Sequence, residues 1–397
     1  MSPRPELIWG AALFAGALAQ LISGLSGLPG VVLLLAVGLG CGQAGLKLVT
    51  PDALGTGLGP VVLLLVSLIL FDGGLNLRLA GRDLQQTVLR LVGMRVLLSL
   101  SGGAALAHLL VGLSWPLALV FGAIALATGP TVVNPMVRQI RLLQPLGRIL
   151  EAEGLILEPF SAVLALLLLQ VALGDLGHWQ DVVLLLLLRF GGGVAIGAAG
   201  GWILAELIQR LPAPSPALCL QLSLGFLFLL AAGVDMQLPE AALPAAVSAG
   251  VVLGSRLNDE QAGPLADLLA QLAQLAITVL FPLLAADLSW PELSPLGMGG
   301  LLAVLALMPF RLLVIQLAAV GMPGMGWREK LIVGWIAPRG IVTAAVASLF
   351  ALQLDQAGVD GGGSLKGLVF LMILITVGLQ GFTAPALARS LNLVEPA

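Results

Sequence analysis

ATGPTVVNP, residues 127–135, interrupts an apolar run with Gly129, Pro130 and Pro135. Much later IAPRGIVTA, residues 336–344, interrupts another with Pro338 and Gly340. Proline removes a backbone donor and clashes with the preceding helical turn. Backbone groups freed at membrane depth survive only where protein buries them or where they line a cavity. Broken helices in corresponding places of two halves point to a midplane binding site in a secondary transporter. The fold turns on whether these two stretches do occupy corresponding places.

Composition sets the frame. The chain has 397 residues, 59% of them hydrophobic and 10% charged. Soluble domains carry about 25% charged residues, so this is a polytopic α-helical membrane protein. The net charge of −3 argues against a nucleic-acid partner. Cys41 and Cys219 both sit in apolar runs and read as small core residues, with no disulfide framework or metal cluster. No cofactor motif occurs. The sequence shows neither a paired-histidine HExxH helix nor a facing aspartate dyad, so an enzyme is not expected.

A spanning helix needs about 20 apolar residues. On that basis thirteen spans are expected, at 7–22, 28–47, 58–78, 87–112, 115–137, 146–174, 181–209, 215–235, 239–254, 263–287, 296–320, 328–351 and 365–390. An ALA at 17–19 offers a rival reading, a cleaved signal peptide, but the span count needs the first helix retained. Arg78, Arg82, Arg90, Arg138, Arg141, Arg148, Arg210, Arg256, Arg328, Lys330 and Arg389 fall on one side, and only Arg4, Lys47 and Lys366 on the other. The basic side is cytoplasmic, which puts the N-terminus outside and the C-terminus inside. Thirteen spans divide as six, a linker and six, giving two inverted repeats. The breaks then fall in the fifth span of each half.

Acids and bases inside the spans mark function. EAEGLILEPF, residues 151–160, carries three carboxylates. Glu158 lies about twelve residues into the sixth span, roughly 18 Å at ~1.5 Å per residue, near the midplane. Glu151, two turns back on about the same face, either lines a cytoplasmic funnel or is a solvated acid beside Arg148. Glu153 points elsewhere and needs a cation; Arg339 in the second break is the expected partner, in a structural ion pair. Asp72, in FDGGLNL at 71–77, either caps its turn or enters the cavity as a second acid.

FDGGLNL, ATGPTVVNP, EGLILEP and APRGIVTAAVASLFAL, in that order along the chain, resemble the NhaP-type branch of the monovalent cation:proton antiporters. The resemblance covers essentially the whole chain. It implies a thirteen-helix fold in which two broken helices cross. It implies a homodimer, with dimerisation helices at 1–86 and 215–295, core helices at 87–174 and 296–397, and a linker helix at 175–214. Glu158 takes the place of the family's essential aspartate and Leu157 that of the preceding Asn or Asp. Thr128 matches a threonine of the unwound segment, formed here by Gly129 and Pro130 and opposed by Pro338. Glu153 and Arg339 match a structural pair, and Asp72 an acid that completes the site. Three departures stand out: glutamate for aspartate at Glu158, Gly129 in the family's TDP, and Gly154 for a ligand serine. Asn134 is a candidate replacement ligand.

The expected activity is exchange of a monovalent cation, Na⁺ or Li⁺ or alternatively K⁺, for H⁺ at Glu158, with Thr128 and Asp72 as further Na⁺ ligands. With Leu157 beside it one acid changes state, so the exchange is expected to be electroneutral. The chain is expected in the bacterial inner membrane among lipids, an internal membrane being the alternative. A transport-silent or regulatory protein of the same fold, or a carrier of another substrate, are the competing functions.

Overall fold

The computed structural model describes residues 4–77, 82–212, 214–321 and 325–395. Arg78 and the side chain of Arg82, both assigned above to the basic side, lie outside the described residues. The helices are α1 Pro5–Ser26, α2 Gly30–Cys41, α3 Leu58–Asn76, α4 Arg82–Leu106, α5 Trp115–Ile124, α6 Pro130–Ile140, α7 Leu146–Leu173, α8 Trp179–Leu186 and α9 Gly192–Arg210. They continue with α10 Pro216–Gln237, α11 Ala242–Arg256, α12 Asp259–Ala285, the single turn α13 Trp290–Leu293, α14 Gly297–Ala318, α15 Trp327–Trp335, α16 Ile341–Gln356 and α17 Gly362–Ser390. Among the described residues nine helices are long and apolar enough to cross a membrane, counting Trp179–Arg210 as one and Trp290–Ala318 as another. Adding α2, α11 and the broken pairs α5/α6 and α15/α16 gives the thirteen expected segments.

The second segment departs from expectation. A helix over 28–47 is expected, but α2 stops at Cys41. Gly42 turns extended, and a Cβ there would collide with Ala286 Cα. The freed carbonyls are taken locally: Leu46 N–H donates to Gly40 O at 2.8 Å, and Leu48 and Val49 N–H donate to Cys41 O at 2.8 and 2.9 Å.

The chain forms two compact units, residues 1–55, 79–177 and 278–397 in one and 56–78 and 178–277 in the other. The second unit packs through small residues. Gly193, Gly197 and Gly201, four apart on α9, face the carbonyls of Ala241, Ala245 and Ala249, four apart around α11. On the far side of α11, Gly250 and Gly254 face the carbonyls of Phe71 and Leu75 on α3, and Gly74 of α3 faces Val247 O. A side chain at any of these glycines would strike backbone. Apolar helices gain little from hydrophobicity within lipid, so close backbone approach and dispersion hold such seams.

The first unit is built around α7, whose most apolar stretch is 72% buried. Pro159 lies inside it without ending the helix. Lys366, counted above on the side poor in basic residues, is buried, with Nζ 2.9 Å from both Asp287 Oδ2 and Glu292 Oε1. In both breaks, 125–129 and 336–340, a glycine ends the unwound segment and starts the next half-helix: Gly129 before Pro130, and Gly340 before Ile341.

Candidate functional site

The two breaks cross. Gly129 N–H donates to Pro338 O at 3.0 Å, and a Cβ on Gly129 would collide with Gly340. This contact explains the missing acid of the TDP motif: no side chain fits at 129. α7 also lies close, though less tightly: a Cβ on Gly154 would stand 3.1 Å from Thr128 O and 3.4 Å from Pro130 N. The glycine that replaces a ligand serine therefore lets α7 approach the unwound strand.

Glu158 reaches this crossing from α7. It is wholly buried, and neither carboxylate oxygen has a hydrogen-bond partner. Its Oε1 lies 2.5 Å from the point where a Cβ on Gly340 would stand. Gly340 is the N-cap of α16, so the carboxylate sits at a helix N-terminus, whose partial positive charge favours an anion. An uncompensated buried carboxylate costs several kcal/mol. Such a group is held either as the neutral acid or as the salt of a bound cation.

The expected Glu153–Arg339 ion pair does not form. Glu153 is wholly buried and accepts from Arg95 Nη1, from α4, and from Arg311 Nη2, from α14, at 3.3 Å. Arg339 Nη1 donates instead to Ala337 O at 3.2 Å, two residues away along its own strand. Arg95 and Arg311 do more than neutralise Glu153. Arg95 Nη2 donates to Leu126 O in the first break at 3.1 Å. Arg311 donates to Gly334 O, Val333 O and Ile336 O at the end of α15, each at 3.1 Å. Each arginine satisfies carbonyls orphaned where the first half-helix stops, and its charge suits that negative end. The two arginines occupy the fourth span of each half, so the repeat places the same device twice. In the sequence Arg95 and Arg311 stand inside or near the boundaries of the spans 87–112 and 296–320, with nothing local to show which groups they reach.

Thr128 is buried, and its Oγ1 lies 3.1 Å from Arg95 Nη1 and 3.4 Å from Arg311 Nη1, accepting from both. Its hydroxyl thus belongs to the guanidinium cluster. Asn134 is half-buried, with Oδ1 unpartnered. Glu151 is half-buried with Arg138 and Arg148 as charged neighbours. Asp72 belongs to the second unit, where its Oδ1 and its carbonyl accept from Asn76 Nδ2 at 3.0 and 2.9 Å, a turn-capping arrangement. A turn beyond Glu158, Ser161 and Thr343 line a cavity of about 10 Å³.

The profile of the family described as sodium/hydrogen exchanger, transmembrane, matches residues 10–390. The chain belongs to the sodium/hydrogen exchanger family. It is 25% identical over 98% of its length to the Na⁺/H⁺ antiporter ApNhaP of Aphanothece halophytica, and spans 74% of that protein. It is likewise 25% identical, over 93% of its length, to the K⁺/H⁺ antiporter NhaP2 of Shewanella sp. strain MR-4, and spans 63% of it. Its fold is similar to that of the sodium proton antiporter MjNhaP1 from Methanocaldococcus jannaschii, with a TM-score of 0.85 and 25% identity, over 96% of this chain and 97% of that one. The exchanger fold, all-helical with crossed broken helices, is therefore the one that the resemblance implied.

Proposed function

We propose that the chain is a secondary antiporter that exchanges a monovalent cation for a proton at Glu158. The observation that supports this most directly is the wholly buried, unpartnered carboxylate at the crossing of two broken helices. One carboxylate serves both substrates. A proton neutralises it in one half of the cycle, and a dehydrated hard cation, which takes oxygen ligands, neutralises it in the other. Because either load leaves the site with the same charge, one cation moves per proton and the exchange is electroneutral. The unwound carbonyls near residues 128–130 and Asn134 remain candidate contributors of further oxygens.

The relatives named above include both Na⁺/H⁺ and K⁺/H⁺ antiporters, so Na⁺, Li⁺ and K⁺ are the cations to test. The antiporter names of the relatives support transport rather than enzymatic chemistry. In the working assembly two copies associate through helices within 1–86 and 215–295, with 175–214 as linker. The helices within 87–174 and 296–397 carry the site from one face of the membrane to the other. We place the protein in a bacterial inner membrane with its N-terminus outside and its C-terminus in the cytoplasm.

The test is ion flux in proteoliposomes with an imposed pH gradient and Na⁺, Li⁺ or K⁺ in turn. Wild type should dissipate the gradient with at least one cation, and Glu158→Gln should fold but not exchange, because an amide neither releases a proton nor balances a cation. Proton-coupled flux by Glu158→Gln would refute the assignment.

A further inference from the structure

Thr131, the second residue of α6, is buried at 2% exposure, and its hydroxyl oxygen has no hydrogen-bond partner. Buried hydroxyls are almost always satisfied, so an orphan beside another orphan calls for a shared cause. The neighbour is Glu158. A Cβ on Gly340 would stand 2.5 Å from Glu158 Oε1 and 3.0 Å from Thr131 Oγ1. The two unpartnered oxygens, one from α7 and one from the start of α6, thus border the same point at the N-terminus of α16.

We propose that Thr131 supplies the side-chain hydroxyl ligand of the cation site, and that Thr128 does not. Thr128 Oγ1 already accepts from two guanidinium groups. A cation there would face the positive charge of Arg95 and Arg311 and compete for an oxygen whose lone pairs are engaged. Thr131 Oγ1 makes no such contact. A hydroxyl both donates and accepts, which suits the two loads of Glu158. When Glu158 is the neutral acid, its O–H donates to Thr131 Oγ1. When an alkali cation replaces that proton, the same oxygen lone pair turns to the metal. One residue thereby serves the carboxyl group in both halves of the cycle. Asn134 lies three residues on, on the same face of α6, and its orphan Oδ1 stands next in line.

This inference rests on the exchange reading above, and the experiment separates the two. Thr131→Val is nearly isosteric and removes only the oxygen; Thr131→Ser keeps the oxygen. Two readouts are taken on each: the half-saturating cation concentration for exchange in proteoliposomes, and the cation-dependent shift of the melting temperature in detergent, with Na⁺, Li⁺ and K⁺ separately. Thr131→Val should raise both half-saturating concentrations on the order of tenfold, the scale for loss of one contact at a metal site. Thr131→Ser should restore them to near the wild-type values. Without cation, Thr131→Val should lose only the one hydrogen bond from protonated Glu158; what it should lose in addition is most of the cation-dependent shift, which a purely structural hydroxyl would leave intact. Should Thr131→Val fail to fold, Thr131→Ala, which only removes atoms, carries the same comparison. Unchanged half-saturation in a valine or alanine variant, with wild type and Glu158→Gln behaving as described, overturns the role of Thr131 alone. A wild-type protein that neither exchanges nor shifts its melting temperature with any of the three cations overturns both readings.

Discussion

Replacing Glu153 by glutamine should be among the most damaging single changes in the first unit, whereas replacing Arg339 should be mild. Glu153 holds two guanidinium groups, and each charge-assisted hydrogen bond is worth about 1.5–3 kcal/mol. The amide retains one weaker acceptor and turns its N–H donors toward positive charge. Arg95 and Arg311 are 1% and 5% exposed, so water cannot take over. Breaking a buried pair by removing one partner costs about 3–5 kcal/mol, which agrees with the loss of two such bonds. The Arg339 side chain makes no ion pair among the described residues, only the 3.2 Å bond to Ala337 O. Arg339→Met keeps the apolar stem and gives up that one bond, about 1 kcal/mol, against relief of a buried charge. The assay is thermal unfolding of purified protein in detergent, followed by loss of the monodisperse peak. Glu153→Gln should lower the midpoint by roughly 10 °C, at about 2–4 °C per kcal/mol, and Arg339→Met by a few degrees at most. Equal losses in the two variants would restore Arg339 as the partner of Glu153 and refute the arginine-cluster account.

Gly340→Ala should abolish exchange while leaving the protein in the membrane, because its Cβ would stand 2.5 Å from Glu158 Oε1 and 2.8 Å from Gly129 Cα; wild-type flux from this variant would show that the crossing is looser than described. Gly197→Leu should destabilise by about 1–3 kcal/mol or more through overpacking, since its side chain would meet Ala245 backbone and the Ser248 hydroxyl; an unchanged melting temperature would refute the α9–α11 seam. Glu240, in the turn between α10 and α11, has its carboxyl pushed up to about 7 by burial and by the neighbouring Asp235, with Arg189 opposing. An acid whose pKa rises on folding binds its proton more tightly in the native state, so its contribution to stability is full below the unfolded value of 4.5 and is lost as pH rises toward 7. Wild type should therefore lose thermal stability between about pH 5 and pH 7.5 more steeply than Glu240→Gln, and parallel curves would remove Glu240 from that dependence.

Much of this protein is legible along the chain because lipid imposes local rules. A helix in hydrocarbon satisfies its own backbone, so apolar runs of about 20 residues mark the segments one by one, and all thirteen are present. Proline and glycine act within a single helix, so both breaks could be read from 127–135 and 336–344. The exposed cost of a carboxylate in mid-span likewise singled out Glu158 without reference to any partner. Partner choice is different, since it depends on residues far apart in sequence. Glu153 is 58 residues from Arg95 and 158 from Arg311, and charge type alone could not rank these above Arg339. Only the packing of α4 and α14 against the ends of α5 and α15 decides it, since the arginines that reach the freed carbonyls are also those that reach Glu153. The early end of α2 and the glycine seams of α9 and α11 have the same origin: a backbone pressed against another backbone selects a residue with no side chain, and nothing local announces which glycines those are. Thr131 is one unremarkable hydroxyl among apolar neighbours until the fold sets it, with Glu158, around the bare α-carbon of Gly340.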